Sequence, residues 1–263
     1  MATKLTGKTL GLSNQKGGAA KTTTSAALAA IYGGDGLRIL GIDSDPQAHL
    51  SLQLGVDLLR EENIQGTVSD LYLGKASALE LAIPTRFAGV DLVPASVDLA
   101  AVEINLPAMT GADLRLRRAL ESARGQYDLI ILDSPPNLGK FAVNVLNASD
   151  FFLVPVDGPW ALRSVDTLLT LAADNAAIYN LPTQFLGVFI TMSDRTRIMQ
   201  GVREEAERRF GEQVLKTEIR RSTLAREAAA LETPVPLYAA DSALAMDYRS
   251  LAAEVLQRMN LNV

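Results

Sequence analysis

The sequence predicts an α/β fold: a doubly wound, mostly parallel sheet with helices on both faces. Strand-like apolar runs alternate with helical patterns along the chain. Several runs, such as Leu129–Leu132, are continuously apolar rather than alternating, as in strands buried on both faces. The residue types that carry chemistry fall where strands end, and open α/β sheets bind ligands at the carboxyl ends of their strands.

The first strand is read at 9–13 (TLGLS). A helix follows over 21–32, rich in alanine, with small residues that allow close packing on a sheet. Gly33-Gly34-Asp35-Gly36 stops it. Further strands are read at 37–43, 90–94, 127–133, 150–156, 185–191 and 213–219. Helical patterns occupy 47–54, 66–73, 112–124, 138–147, 160–179, 197–210, 222–231 and 242–259. Pro234 and Pro236 break the chain before the last helix, and the polar stretch Asp57–Gly66 reads as a mobile loop. No repeat, low-complexity segment or long linker divides the chain, so one domain over 1–263 is expected.

Composition narrows the function. The 263 residues suffice for a large core, and 48% of them are hydrophobic. The absence of cysteine excludes disulfides, thiolate metal sites and iron–sulfur clusters. No apolar stretch approaches the ~18 residues of a membrane span. Met1–Lys8 has no apolar signal core, so a cytoplasmic location and no membrane partner are expected. The net charge of −5 argues against a polyanion partner, but its distribution does not. Residues 195–226 hold nine basic and five acidic residues, a local surplus of four, so the rest of the chain carries −9.

Residues 16–22 read Lys16-Gly17-Gly18-Ala19-Ala20-Lys21-Thr22, between the first strand and an alanine-rich helix. This is a phosphate-binding loop of the P-loop NTPase type with a second lysine. Glycines let the backbone turn its N–H groups toward phosphate, and the helix N-terminus adds partial positive charge. Lys21 would reach the β- and γ-phosphates of a nucleotide, and the Thr22 hydroxyl would hold Mg²⁺. The candidate nucleotide-binding set runs from Lys16 through Gly17, Gly18, Ala19, Ala20, Lys21 and Thr22 to Thr23.

The loop resembles the deviant Walker A box of the ParA/MinD superfamily, K-G-G-x-G-K-[ST]. Ile42–Gln47 (IDSDPQ) resembles the D-x-D-P-Q box of that family, and Asp128–Pro136 (DLIILDSPP) its Walker B strand. Val154-Pro155-Val156 and Ile190–Arg195 fall where family strands end. The D-P-Q box, and a P-loop with no domain ahead of it, resemble chromosomal ParA, also called Soj.

The resemblance implies roles. Asp133 would hold Mg²⁺ beside Thr22, and Asp43 would contribute to its water shell. Asp45 would position the attacking water. Asp43 and Asp45, two apart in an extended chain, share a face. Lys16 would cross a two-fold interface to the partner subunit's nucleotide, like an arginine finger in trans. The alternative for Lys16 is a surface lysine of general attraction. ATP with Mg²⁺ would then drive a homodimer that binds double-stranded DNA without sequence preference, stays nucleoid-associated, and is released by slow hydrolysis stimulated by a ParB-like centromere-binding partner.

Arg195 matches a DNA-contacting arginine of Soj-type proteins. A second family arginine falls at Leu224, so Arg220, Arg221 and Arg226 are the candidate substitutes. Such contacts go to phosphates. Two departures stand out. Ala20 replaces a glycine, which costs about 1 kcal/mol if φ is positive there and puts affinity and turnover in question. The lone His49 reads as a packing or surface residue. Two other readings stay open: a positioning ATPase with a protein or membrane-linked cargo, and a nucleotide-gated DNA-binding module with little turnover.

Overall fold

The computed structural model describes residues 7–58 and 64–260. At its centre lies a seven-stranded sheet: β1 (Lys8–Leu12), β2 (Ile39–Asp43), β3 (Ile83–Pro84), β4 (Val90–Val93), β5 (Leu129–Asp133), β6 (Phe151–Val156) and β7 (Gln184–Ile190). The order is β3-β4-β2-β5-β1-β6-β7. Every neighbouring pair is parallel except β3 with β4. Asp43 and Asp133 stand side by side at the ends of β2 and β5.

Among the described residues, twelve α-helices surround the sheet: α1 (Lys21–Gly34), α2 (His49–Gln53), α3 (Val68–Leu73), α4 (Ala78–Leu81), α5 (Leu99–Asn105), α6 (Arg115–Ala119), α7 (Lys140–Ala148), α8 (Pro159–Tyr179), α9 (Arg197–Phe210), α10 (Leu224–Ala230), α11 (Val235–Tyr238) and α12 (Ala243–Arg258). Alternate strand residues feed opposite faces. Ile39, Leu129 and Ile131 pack with α1 and α12, whereas Leu40, Ile130 and Leu132 pack under α3 and α7. A third cluster joins Val154 and Val188 to α8 and α9. Burial on both faces is why these strands read as unbroken apolar runs.

Six expected strands form, four of them one or two residues shorter and two shifted by one residue, and the seventh does not. Residues 213–219 were expected as a strand, but only isolated bridges pair Val188 with Val214 and Ser193 with Arg220. The cause is local. Glu254 of α12 accepts the N–H groups of Lys216 and Thr217 at 2.8 and 2.9 Å, drawing them out of any ladder with β7. At Gly187 (φ 145°) the β7 edge lies so close to this segment that a Cβ would sit 2.2 Å from the Gln213 carbonyl oxygen.

The expected helix 112–124 is a 3₁₀ turn at Ala112–Leu114 followed by α6, which ends at Ala119. Part of the Asp57–Gly66 loop, residues 59–63, lies outside the described residues. Helices α4, α5 and α11 and the two-residue β3 have no counterpart in the expected elements. Pro236 sits in the first turn of α11, where its missing N–H costs nothing.

Candidate functional site

The loop after β1 is built by its backbone. Gly18 takes φ 81° and Ala20 φ 63°, ψ 24°, both left-handed, and α1 begins at the next residue. Asn14 anchors the loop from below. Its Nδ2 donates to the Pro155 carbonyl at 2.6 Å, and its Oδ1 accepts from the Lys16 N–H at 2.9 Å. Above lies a cavity of about 770 Å³, lined by Gly17 through Thr23, Asp45, Gln47 and Pro136 on one side. Met192, Ile219, Arg221 and Tyr248 are among the residues on the other.

Lys21 folds over the loop, and its Nζ donates to the Lys16 carbonyl at 3.2 Å. Burial lowers its pKa, opposed by the negative charges of Asp133, Asp45 and Asp157. Beneath it Asp133 is fully buried, with Oδ2 accepting from Thr22 Oγ1 at 2.7 Å and Oδ1 from Ser25 Oγ at 2.8 Å. Asp43 is also fully buried. Its Oδ2 accepts from the Ser51 N–H and hydroxyl, both at 2.8 Å, and its Oδ1 from the Asp45 N–H at 3.1 Å. Burial pushes Asp43 up to about 6. Burial and then the Asp43 charge push Asp133 up to about 7.

Two buried carboxylates beside a threonine hydroxyl are oxygen donors of the kind a hard divalent cation takes. The cavity above offers Lys21 and the start of α1 to an anion. The residues present therefore fit a magnesium–nucleotide pair.

Of the expected site residues, Gly17 through Thr23 and Asp45 converge on the cavity. Asp45 Oδ1 accepts from the Gln47 N–H at 2.9 Å, which sets the turn into α2. Asp43 is turned away toward Ser51, so the two carboxylates that share a segment do different work. Lys16 does not line the cavity, and its Nζ lies 2.6 Å from Asp157 Oδ2. His49 is exposed at the cavity rim.

The basic stretch divides. Arg220 is bound to Asp247 at 2.6 Å, Arg221 lies 3.7 Å from Asp194, and Arg203 pairs with Glu218. Arg195, Arg197 and Arg226 are exposed with no ion pair among the described residues. Arg220, Arg221 and Arg226 also line the nucleotide-sized cavity. Leu224 is partly buried against the core, a role an arginine would not fill.

Sequence reasoning missed Asn14, Ser25, Ser51 and Asp157. For Asp157 a signal existed, an acid directly after the apolar run Phe151–Val156, placed as Asp133 is after the apolar run Leu129–Leu132. The other three become visible only through their hydrogen bonds.

The fold and the site define a P-loop ATPase whose loop carries a second lysine. Residues 7–178 match the family described as AAA domain. The chain is 36% identical over 251 residues to the sporulation initiation inhibitor protein Soj of Bacillus subtilis, covering 95% of this chain and 98% of Soj. It is 34% identical to the chromosome partitioning protein ParA of Caulobacter vibrioides, covering 95% and 94%. A crystal structure of cobyrinic acid a,c-diamide synthase from Mycobacterium smegmatis, with a bound ATP analog and magnesium, superposes with a TM-score of 0.81. It is 31% identical, covering 96% of this chain and 95% of that one. The chain belongs to the ParA/MinD superfamily.

Proposed function

We propose that the protein is a ParA-type partition ATPase that acts as a single ATPase domain over residues 1–263. The reading is supported by one observation above all: a loop with two lysines, Lys21 lining the phosphate cavity and Lys16 paired with Asp157, in a chain 36% identical to Soj. Bound ATP supplies a β–γ phosphoanhydride, and Mg²⁺ neutralises the charge on its oxygens. Lys21 and the N–H groups of Gly17 through Thr23 hold the phosphates. Thr22, Asp133 and, through water, Asp43 hold the metal. Asp45 orients the attacking water. Lys16 reaches the partner subunit's nucleotide, so ATP closes a homodimer.

The dimer binds double-stranded DNA through phosphates, with Arg195 and Arg226 as its free cations, and Arg220 and Arg221 adding what their acidic partners leave. The protein works in the cytoplasm on the nucleoid, and a ParB-like partner stimulates hydrolysis and release. Sedimentation with ATP and Mg²⁺, followed by titration of two unrelated random duplexes, tests this. A dimer that binds both duplexes alike, and less tightly as salt rises, is expected. A protein that stays monomeric and ignores both duplexes overturns it.

A further inference from the structure

Lys16 and Asp157 are 141 residues apart in sequence, yet Nζ and Oδ2 lie 2.6 Å apart. Asn14 brings them together. Besides its bonds to the Pro155 carbonyl and the Lys16 N–H, its Oδ1 accepts from Ser164 Oγ of α8 at 3.0 Å. The loop is thereby strapped to the end of β6 and the start of α8. The backbone of Lys16 is held, and the side chain is the part that can swing.

The pair is unequal. The Lys16 side chain is 39% exposed and that of Asp157 only 8%. Asp157 Oδ1 is buried without a hydrogen-bond partner, and Lys16 is the only hydrogen-bond partner of the carboxylate among the described residues. Removing one member of such a pair is the costly direction, because the other is left charged in a poor solvent. A lysine that must reach a second subunit therefore starts from a bound state, and closing must overcome it. Three residues beyond Asp157, Trp160 is 72% exposed, with the Arg163 guanidinium 5.1 Å from its ring centre. The segment that holds Lys16 thus runs straight into open surface that a second copy of the chain can reach.

We propose that Asp157 is a positioning residue that clamps Lys16 within its own subunit and sets the ATP level at which the dimer closes. The inference rests on the functional reading above, in which Lys16 acts in trans. Asp157 touches neither the phosphate cavity nor the metal-holding oxygens. Among the described residues its carboxylate's one hydrogen bond is to Lys16, and because its charge also reaches Lys21, the ADP affinity of the monomer is measured beside the dimerisation midpoint and should stay within about two-fold of the parent.

Sedimentation across an ATP titration with Mg²⁺ tests it. Asp157→Asn keeps the size and removes the charge, and should lower the ATP concentration for half-dimerisation about five-fold. Asp157→Gln, a second neutral variant, should do the same should the first fold poorly. Asp157→Glu keeps the charge and should stay near the parent midpoint. A merely structural role gives the reverse order, with the longer Glu disturbing the site more than the isosteric Asn. Neutral variants at or above the parent midpoint, or Asp157→Glu shifting as Asp157→Asn does, overturn the clamp. A parent that never dimerises with ATP overturns the functional reading and the clamp with it, whereas a dimerising parent with unmoved neutral variants overturns the clamp alone.

Discussion

Lys21 and the arginines of residues 195–226 are all cations, but their surroundings differ. The lysine is buried among Asp45, Asp133 and Asp157, and its one hydrogen bond goes to a backbone carbonyl. Three of the arginines stand toward solvent with carboxylates of their own: Arg220 with Asp247, Arg221 with Asp194, Arg208 with Glu205. In the first region charge is gathered where water cannot screen it, so the arrangement awaits a charged ligand. In the second most charge is already answered on the surface, where such pairs contribute little. A count of basic residues therefore overstates what residues 195–226 can offer a polyanion.

The comparison breaks first at Asp45, the one carboxylate of the buried region that faces the cavity. Asp45→Ala should leave ATP binding intact and lower hydrolysis about a hundredfold, a usual cost of losing a group that manages the attacking water. A persistent ATP-bound dimer in sedimentation is the expected companion. Normal hydrolysis in a monomeric variant would remove Asp45 from that role.

The next difference is in titration. Arginines do not titrate near neutrality, whereas burial raises Asp43 to about 6 and Asp133 to about 7. For these two groups the folded state binds more protons than the unfolded one between about pH 4 and pH 7. Their contribution is therefore most favourable at the acid end and falls as pH rises through that window. With metal chelated, Asp133→Asn should gain on the parent by on the order of 3 kcal/mol between pH 5 and pH 7.5. Urea unfolding of both proteins at the two pH values measures it, and the difference cancels the titrating groups other than Asp43 and Lys21, whose charges interact with Asp133. Parallel losses in parent and variant would show that Asp133 is not the source.

The exposed region should respond more weakly and less evenly. Arg195→Ala with Arg226→Ala removes two free cations. It should weaken duplex binding about tenfold at moderate salt and reduce the salt slope by about two. Arg220→Ala should cost DNA binding little, because Asp247 already holds that guanidinium. Instead it should loosen the tie between the segment after β7 and α12. An Arg220→Ala loss on duplex as large as that of the pair would mean that Asp247 releases its arginine to DNA.

What was readable in the sequence follows the same division. Apolar runs, several of them continuous, exposed six strands, because burial on both faces leaves a local signature. The phosphate loop was legible because its chemistry is contiguous. Residues 213–219 read as a strand from the apolar Val214, Leu215 and Ile219, while the carboxylate that draws the backbone away lies about forty residues on, at Glu254. Helix α5 was missed because Leu99–Asn105 buries only Leu99 and Val102, too few for a period. The Lys16–Asp157 contact could not be read at all. It depends on Asn14 bridging two strand ends, and neither residue signals the other.

Ala20 stands between the two regions in kind, a backbone matter inside the charged site. At φ 63°, ψ 24° it occupies the region where a Cβ costs an L residue about 1 kcal/mol. The conformation belongs to the turn from Gly18 into α1, so its strain is assigned to folding rather than to nucleotide binding. Ala20→Gly should therefore raise stability, offset by the greater freedom of glycine in the unfolded chain. A net gain of about 0.5 kcal/mol corresponds to roughly 1–2 °C in melting temperature for a chain of this size. ATP affinity and turnover should stay within about two-fold of the parent, since both states of the loop share the strain. Calorimetry and a turnover assay on the same preparations separate the two effects. A clear rise in turnover with no gain in stability would instead place the Ala20 methyl against the phosphates, and would make a weakened ATPase the natural reading of the substitution this chain carries.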